Sequence, residues 1–196
     1  MGRLDAKRRE ERIVDQAVGI LERRMRQSRA RYQVSSPNTV RQYLRLRLGT
    51  LEREVLLVIF LDASLRVIAT KELFQGTLTQ TIVYPREVVK AAIRQNAHAI
   101  IIAHNHPGGS PQFSEEDEKL RQQLAAALAL IDVKLLDSLV VAGAVITSWA
   151  EQQAIADFAE RENDRRQDLE QKKRRSAAMA ASWARRRAAQ VSHGNP

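Results

Sequence analysis

The chain has 196 residues, 44% hydrophobic and 28% charged, with a net charge of +9 and no cysteine. That is room for one core domain with extensions. The absence of cysteine excludes a thiolate zinc site and a thiol nucleophile. No apolar run reaches membrane-spanning length, the N-terminal stretch is charged without a signal-peptide core, and a cytoplasmic protein is expected.

The charge is unevenly placed. Residues 1–34 carry net +5 and residues 161–196 net +6, while the stretch between them carries net −2. Basic ends on a near-neutral core suggest a polyanionic partner such as DNA, above all for the C-terminal end. For the N-terminal end, a solvated helix is the simpler reading.

In chain order, residues 3–32 read as a helix, with Val14, Val18, Leu21 and Met25 as a narrow apolar stripe. The stripe packs either on the core or on a second copy, which would make an oligomer. Ser35-Ser36-Pro37 breaks it, and Pro37 suits the first turn of a new helix capped by Ser36. That helix carries Val40, Tyr43, Leu44 and Leu48 and ends near Gly49. Glu54 to Leu61 is a strand too apolar for an exposed edge. Asp62-Ala63-Ser64 turns it back into a strand from Leu65 to Phe74, giving a hairpin.

Gly76-Thr77 opens a loop, and Pro85 starts a helix with Val88, Val89, Ala92 and Ile93 on one face. Ala99 to Ala103 is a buried strand. A helix with Leu120, Leu124, Leu128 and Ile131 as its stripe spans Ser114 to Ile131. Strands Val133–Val141 and Ala144–Thr147 meet at Gly143, and another helix starts near Ser148. Helices and strands in this order make an α/β or α+β sheet sandwiched by helices. From about Arg161 the pattern loosens. Lys172 to Arg175 and Arg185 to Arg187 bracket an Ala-rich stretch with Trp183, which reads as a flexible tail or as a helix formed on a polyanion, with Trp183 placed to stack on a base.

The chemistry concentrates at His104-Asn105-His106-Pro107, followed by a Gly/Pro loop and Ser114-Glu115-Glu116-Asp117. Alternation along a strand sends His104 and His106 to the same side. Taken alone, Ser114 with Asp117 is a helix capping box. The four residues together, at a spacing met by chance on the order of once in several thousand chains, point to a metal. Two imidazoles, one carboxylate and an open fourth position are what catalytic zinc uses. Bound zinc brings the pKa of water to about 7, and a carboxylate outside the motif is then wanted as general base. Glu52, Glu54 and Glu72 are candidates. Glu54, at the start of a buried strand, is the most unusual of them.

His-x-His, seven residues, then Ser-x-x-Asp, with a Glu fifty residues upstream, resembles the JAMM metalloprotease signature of the MPN fold. The His-Asn-His-Pro form looks like its bacterial branch, the RadC-like proteins. Leu51-Glu52-Arg53-Glu54-Val55, Phe60-Leu61-Asp62, Leu73-Phe74-Gln75-Gly76-Thr77 and Tyr84-Pro85-Arg86-Glu87-Val88 are similar too, so the likeness runs from about Ser36 to Phe158. The resemblance implies a cytidine-deaminase-like α/β fold with a mixed sheet. It implies the JAMM domain over 36–158, while the helical extension over 1–34 is read from its apolar stripe and the basic tail over 161–196 is not part of the family pattern.

It further implies Zn²⁺ on His104, His106 and Asp117, Glu54 as the carboxylate that activates water, and Ser114 as an oxyanion-stabilising serine for amide hydrolysis. The substrate would be a protein or peptide. RadC-like proteins are labelled DNA repair proteins, on which zinc chemistry is silent. The chain departs from the family at Gly109, where Ser is usual, and at Ser138, where His usually follows Asp137. A long helix stands where longer RadC proteins carry a helix-hairpin-helix segment.

Overall fold

The computed structural model describes residues 3–27, 37–75 and 83–192. The expected Ser36 cap and the Gly76-Thr77 loop lie outside them. The chain divides into two units, Met1–Ala150 and Glu151–Pro196.

In the first unit a sheet of five strands is built from β1 (Val55–Leu61), β2 (Val67–Gln75), β3 (Ala99–Asn105), β4 (Lys134–Ala142) and β5 (Val145–Ser148). Their order across the sheet is β2-β1-β3-β4-β5. Only the β3–β4 pair is parallel, so the sheet is mixed. A parallel neighbour needs a crossover, and helix α4 (Glu115–Ala129) supplies it. All seven residues of β1 are buried, as expected for a strand covered on both faces.

Alternation along the strands divides the core. Val55, Leu57 and Ile59, with Ile101 and Ala103, face helices α1 (Arg3–Gln27) and α2 (Pro37–Leu48). Leu56, Val58 and Phe60, with Ile100 and Ile102, face α3 (Pro85–Arg94) and α4. The choice left open for the α1 stripe resolves toward the core: Val18, Leu21 and Met25 are buried there, while Val14 stays 38% exposed. Glu22 of α1 accepts hydrogen bonds from Tyr43 of α2 (2.9 Å) and Thr70 of β2 (3.1 Å), pinning three elements together.

One expectation needs correction. The buried face of α3 is Val88, Ala91 and Ala92, not the Val88–Val89–Ala92–Ile93 set; Ile93 is 60% exposed. Val89 is only partly buried against the same core, so the buried arc of the helix is centred on the two alanines, which an apolarity count misses. The segment beyond 161, read as a flexible tail or as a helix formed on a polyanion, runs in its backbone as one helix, α5 (Trp149–Ser192). Residues 161–192 contain neither Gly nor Pro and are rich in Ala and Arg, both strong helix formers. From 151 to 175 the described side chains are exposed apart from half-exposed Glu162. The side chains of 176–192, Trp183 and Arg185 to Arg187 included, are not among those described. No helix among the described residues is long and apolar enough to cross a membrane.

Candidate metal centre

His104 is the penultimate residue of β3, opposite Leu56 of β1, and His106 follows the strand end. The ladder between β1 and β3 stops at this row. The backbone N–H of His106 still donates to the Val141 carbonyl (2.9 Å), so the position beyond the strand is held by β4. Gly109 then turns the chain at φ +80°, donating to the His106 carbonyl (3.0 Å). That conformation favours glycine, which gives the departure from the family serine a local reason.

The loop ends at Ser114, the N-cap of α4. Ser114 Oγ accepts from the Asp117 N–H (3.1 Å), and Asp117 Oδ2 accepts from the Ser114 N–H (2.8 Å) and hydroxyl (2.7 Å). The capping box therefore exists, and it does more than cap. It turns Asp117 toward the histidines.

Asp117 Oδ1 lies 2.9 Å from His104 Nε2, Asp117 Oδ2 lies 3.4 Å from His106 Nε2, and the two Nε2 atoms are 3.1 Å apart. A tetrahedral zinc with bonds near 2.0–2.1 Å places its ligand atoms about 3.3 Å from one another. The separations here are 2.9 to 3.4 Å and run to both carboxylate oxygens, Oδ1 toward His104 and Oδ2 toward His106, so they bring the three groups within reach of a single ion. His106 Nδ1 lies 2.9 Å from the Ser110 carbonyl, which can only accept, so Nδ1 carries a proton, and the neutral ring that a metal would require has its lone pair on Nε2. Among the described residues, these three form the group that can hold a metal ion.

The side chains are 13–15% exposed. Burial alone would raise the Asp117 pKa, but hydrogen bonds from His104 and His106 outweigh it and pull it well below the usual carboxylate range. The His106 pKa is raised, first by the hydrogen bond to Asp117, against burial, and also by the Ser110 carbonyl and the charges of Asp117 and Glu54. Phe113, with its ring centroid 6.5 Å from that of His104, stands beside the group.

The three candidate bases separate. Glu72 pairs with Arg47 (2.8 Å). Glu52 is exposed and lines a cleft of about 990 Å³ between α1 and the α2–β1 connection, which contains none of the three ligand candidates. Glu54 is half-buried one residue before β1, and its charge is felt at His106. It forms no ion pair among the described residues; Arg86, one expected partner, pairs instead with Glu87 (3.8 Å).

Asn105 within the motif and Asp137 before Ser138 carry no role in the sequence reading, yet both organise the backbone around them. Asn105 turns to the opposite side from the histidines, is 2% exposed, and hydrogen-bonds the backbone on either side of Glu54. Its signal is the polar residue at an inward position of an apolar strand. Asp137 accepts from the Ser138 N–H (2.8 Å), the Ser148 hydroxyl (2.7 Å) and the Ala150 N–H (3.0 Å), tying β4 to β5 and to the start of α5. Ser138, in the place of the family histidine, is 2% exposed.

Residues 34–154 match the family model described as a RadC-like JAB domain. A UPF0758 protein of Leptothrix cholodnii is 58% identical over 116 residues, 59% of this chain and 52% of that protein. One of Nitrosospira multiformis is 51% identical over 140 residues, 71% of this chain and 61% of that protein. One of Thiobacillus denitrificans is 55% identical over 118 residues, 60% of this chain and 53% of that protein. The matched segment thus spans between about half and three fifths of these relatives. With the domain match covering most of the chain and falling on the sheet and the His-His-Asp group, the chain belongs to the family of RadC-like JAB domain proteins.

Proposed function

We propose that the chain is a zinc-dependent hydrolase of amide bonds, peptide or isopeptide, in the manner of JAMM proteins. The observation that carries this reading is the convergence of His104 Nε2, His106 Nε2 and the Asp117 carboxylate at 2.9 to 3.4 Å, with the charge of Glu54 felt at His106. A zinc ion held there supplies a Lewis acid and an acidified water. His106 presents Nε2 because Ser110 holds the proton on Nδ1. The Asp117 carboxylate is kept ionised when it holds a zinc. A Glu54 carboxylate oxygen takes the proton of the attacking water and returns it to the leaving amine. Ser114 orients Asp117, and its hydroxyl is the donor offered to the oxyanion as negative charge develops.

The test is the zinc-loaded protein incubated with a peptide library made from a cellular proteome, with new amino termini labelled and counted, beside Glu54→Gln. Cleavage by the wild type and none by a Glu54→Gln protein that keeps its zinc is the expected result. Equal cleavage by both would remove Glu54 as the base.

A second reading concerns the basic C-terminal segment. Its net charge of +6, on a helix whose described side chains are exposed, suits a DNA backbone. DNA binding that weakens steeply with salt and disappears on deleting residues 171–196 supports it. Binding unchanged by the deletion rules it out.

A further inference from the structure

Glu54 lies outside the regular ladder of β1, yet a general base must be held within a fraction of an ångström to be useful. What holds it is not its own side chain, which has no ion pair among the described residues, but the backbone around it. Asn105 Oδ1 accepts from the Val55 N–H (2.8 Å). Asn105 Nδ2 donates to the Arg53 carbonyl (2.9 Å) and the Leu51 carbonyl (3.2 Å). The Arg53 carbonyl and the Val55 N–H belong to the two peptide planes that flank the Glu54 Cα. One amide therefore grips both planes, which restrains φ and ψ of Glu54 together.

The placement follows from the sheet. Leu56 pairs with His104 in the antiparallel ladder, and continuing that register sets Val55 across from Asn105 and Glu54 across from His106. Alternation points His104 and His106 to one side and Asn105 to the other. The same strand end thus carries the metal-ligand candidates on one side and the grip on Glu54 on the other. At 2% exposure, with both amide hydrogens and the carbonyl used, Asn105 has no water to compete for these bonds.

We propose that Asn105 is the positioning residue that sets Glu54 against the His104–His106–Asp117 group, by clamping the peptide planes on both sides of it. This rests on the reading of Glu54 as the base beside a metal, and the experiment separates the two.

The probe is Co²⁺, whose visible absorption responds to groups bonded near its open position. Wild type, Glu54→Gln, Asn105→Ala and the double variant are loaded, and Co²⁺ per chain and the spectrum are measured for each. All four should hold one Co²⁺. The Asn105→Ala spectrum should move toward that of Glu54→Gln, and Asn105→Ala should add nothing in the Glu54→Gln background. A wild-type spectrum for Asn105→Ala overturns the proposal. So does a change that persists undiminished in the double variant, or loss of Co²⁺ from Asn105→Ala, because either makes Asn105 a support of the histidines. If Asn105→Ala does not fold, Asn105→Asp is read by the same criteria, since it keeps the volume and the acceptor for Val55 but loses both donors. A Glu54→Gln spectrum identical to wild type is a separate result, and it sinks the base reading beneath the proposal.

Discussion

The bridge from Tyr43 to Glu22 and Thr70 makes a pH-dependent prediction whose size can be worked out. Tyr43 is 1% exposed and donates to Glu22 (2.9 Å), with Thr70 Oγ1 at 3.3 Å. Burial is the largest influence on the phenol, and the Glu22 charge adds to it, so the pKa is pushed from 10.0 up to about 12. A folded-state pKa above the unfolded one means the folded protein binds the proton more tightly. The stability this contributes is fully present below pH 10 and is lost as pH rises toward 12. At about 1.36 kcal/mol per pKa unit, the loss is about 1.4 kcal/mol by pH 11 and about 2.7 kcal/mol once both states are deprotonated.

Tyr43→Phe removes the titration but also the hydrogen bond to a carboxylate, at a cost of about 1.5–3 kcal/mol at neutral pH. Urea unfolding of both proteins at pH 8, 10, 11 and 11.5 is the assay. The wild type should be the more stable at pH 8, with the gap narrowing by more than 1 kcal/mol at pH 11. The other tyrosines and the lysines titrate in both proteins and cancel in the difference. A gap that stays constant from pH 8 to 11.5 would refute the buried, proton-retaining Tyr43.

Other consequences follow from single sites. A Cβ on Gly49 would sit 2.6 Å from the Arg45 carbonyl oxygen and 2.7 Å from that of Gly143, both backbone, so Gly49→Ala forces the end of α2 away from the β4–β5 turn. A cost of about 1–3 kcal/mol, seen as a melting temperature several degrees lower, is expected. Leu124→Ala empties a fully buried site between α4 and the sheet and should cost about 2–5 kcal/mol in a denaturant titration. Ser114→Ala loses the α4 cap, about 1 kcal/mol of stability in metal-free protein, and should also weaken Zn²⁺ binding in calorimetry because Asp117 loses two of its restraints. Zn²⁺ at one hundred times its dissociation constant should stabilise the fold by about 2.7 kcal/mol, with EDTA reversing the gain in a thermal melt.

How far the sequence could be read depended on the range of the interactions. The runs 55–61 and 99–103 are apolar throughout, so their burial on both faces was plain, and strand alternation placed His104 and His106 together without any knowledge of neighbours. The cap at Ser114 is local as well. What escaped was set by contacts far along the chain. Asn105 bonds residues some fifty positions earlier, and no periodicity carries that. The same clamp explains why the strand begins at Val55 and not at Glu54, as expected: residues before Val55 bond a side chain in place of the ladder. Ile93 reads as core because it is apolar, yet the buried face of α3 is Val88 with Ala91 and Ala92, and Ile93 lies outside it. Beyond 161, the basic clusters read as a flexible tail, while the run of Ala and Arg without Gly or Pro has the local propensity of the helix that forms.

The central claim is that His104, His106 and Asp117 hold one zinc. Metal content of the purified protein by mass spectrometry, beside His106→Ala, tests it most directly. About one zinc per chain in the wild type and none in the variant is the predicted result. A wild type that holds no zinc even after reconstitution, or a variant that holds as much, would contradict it.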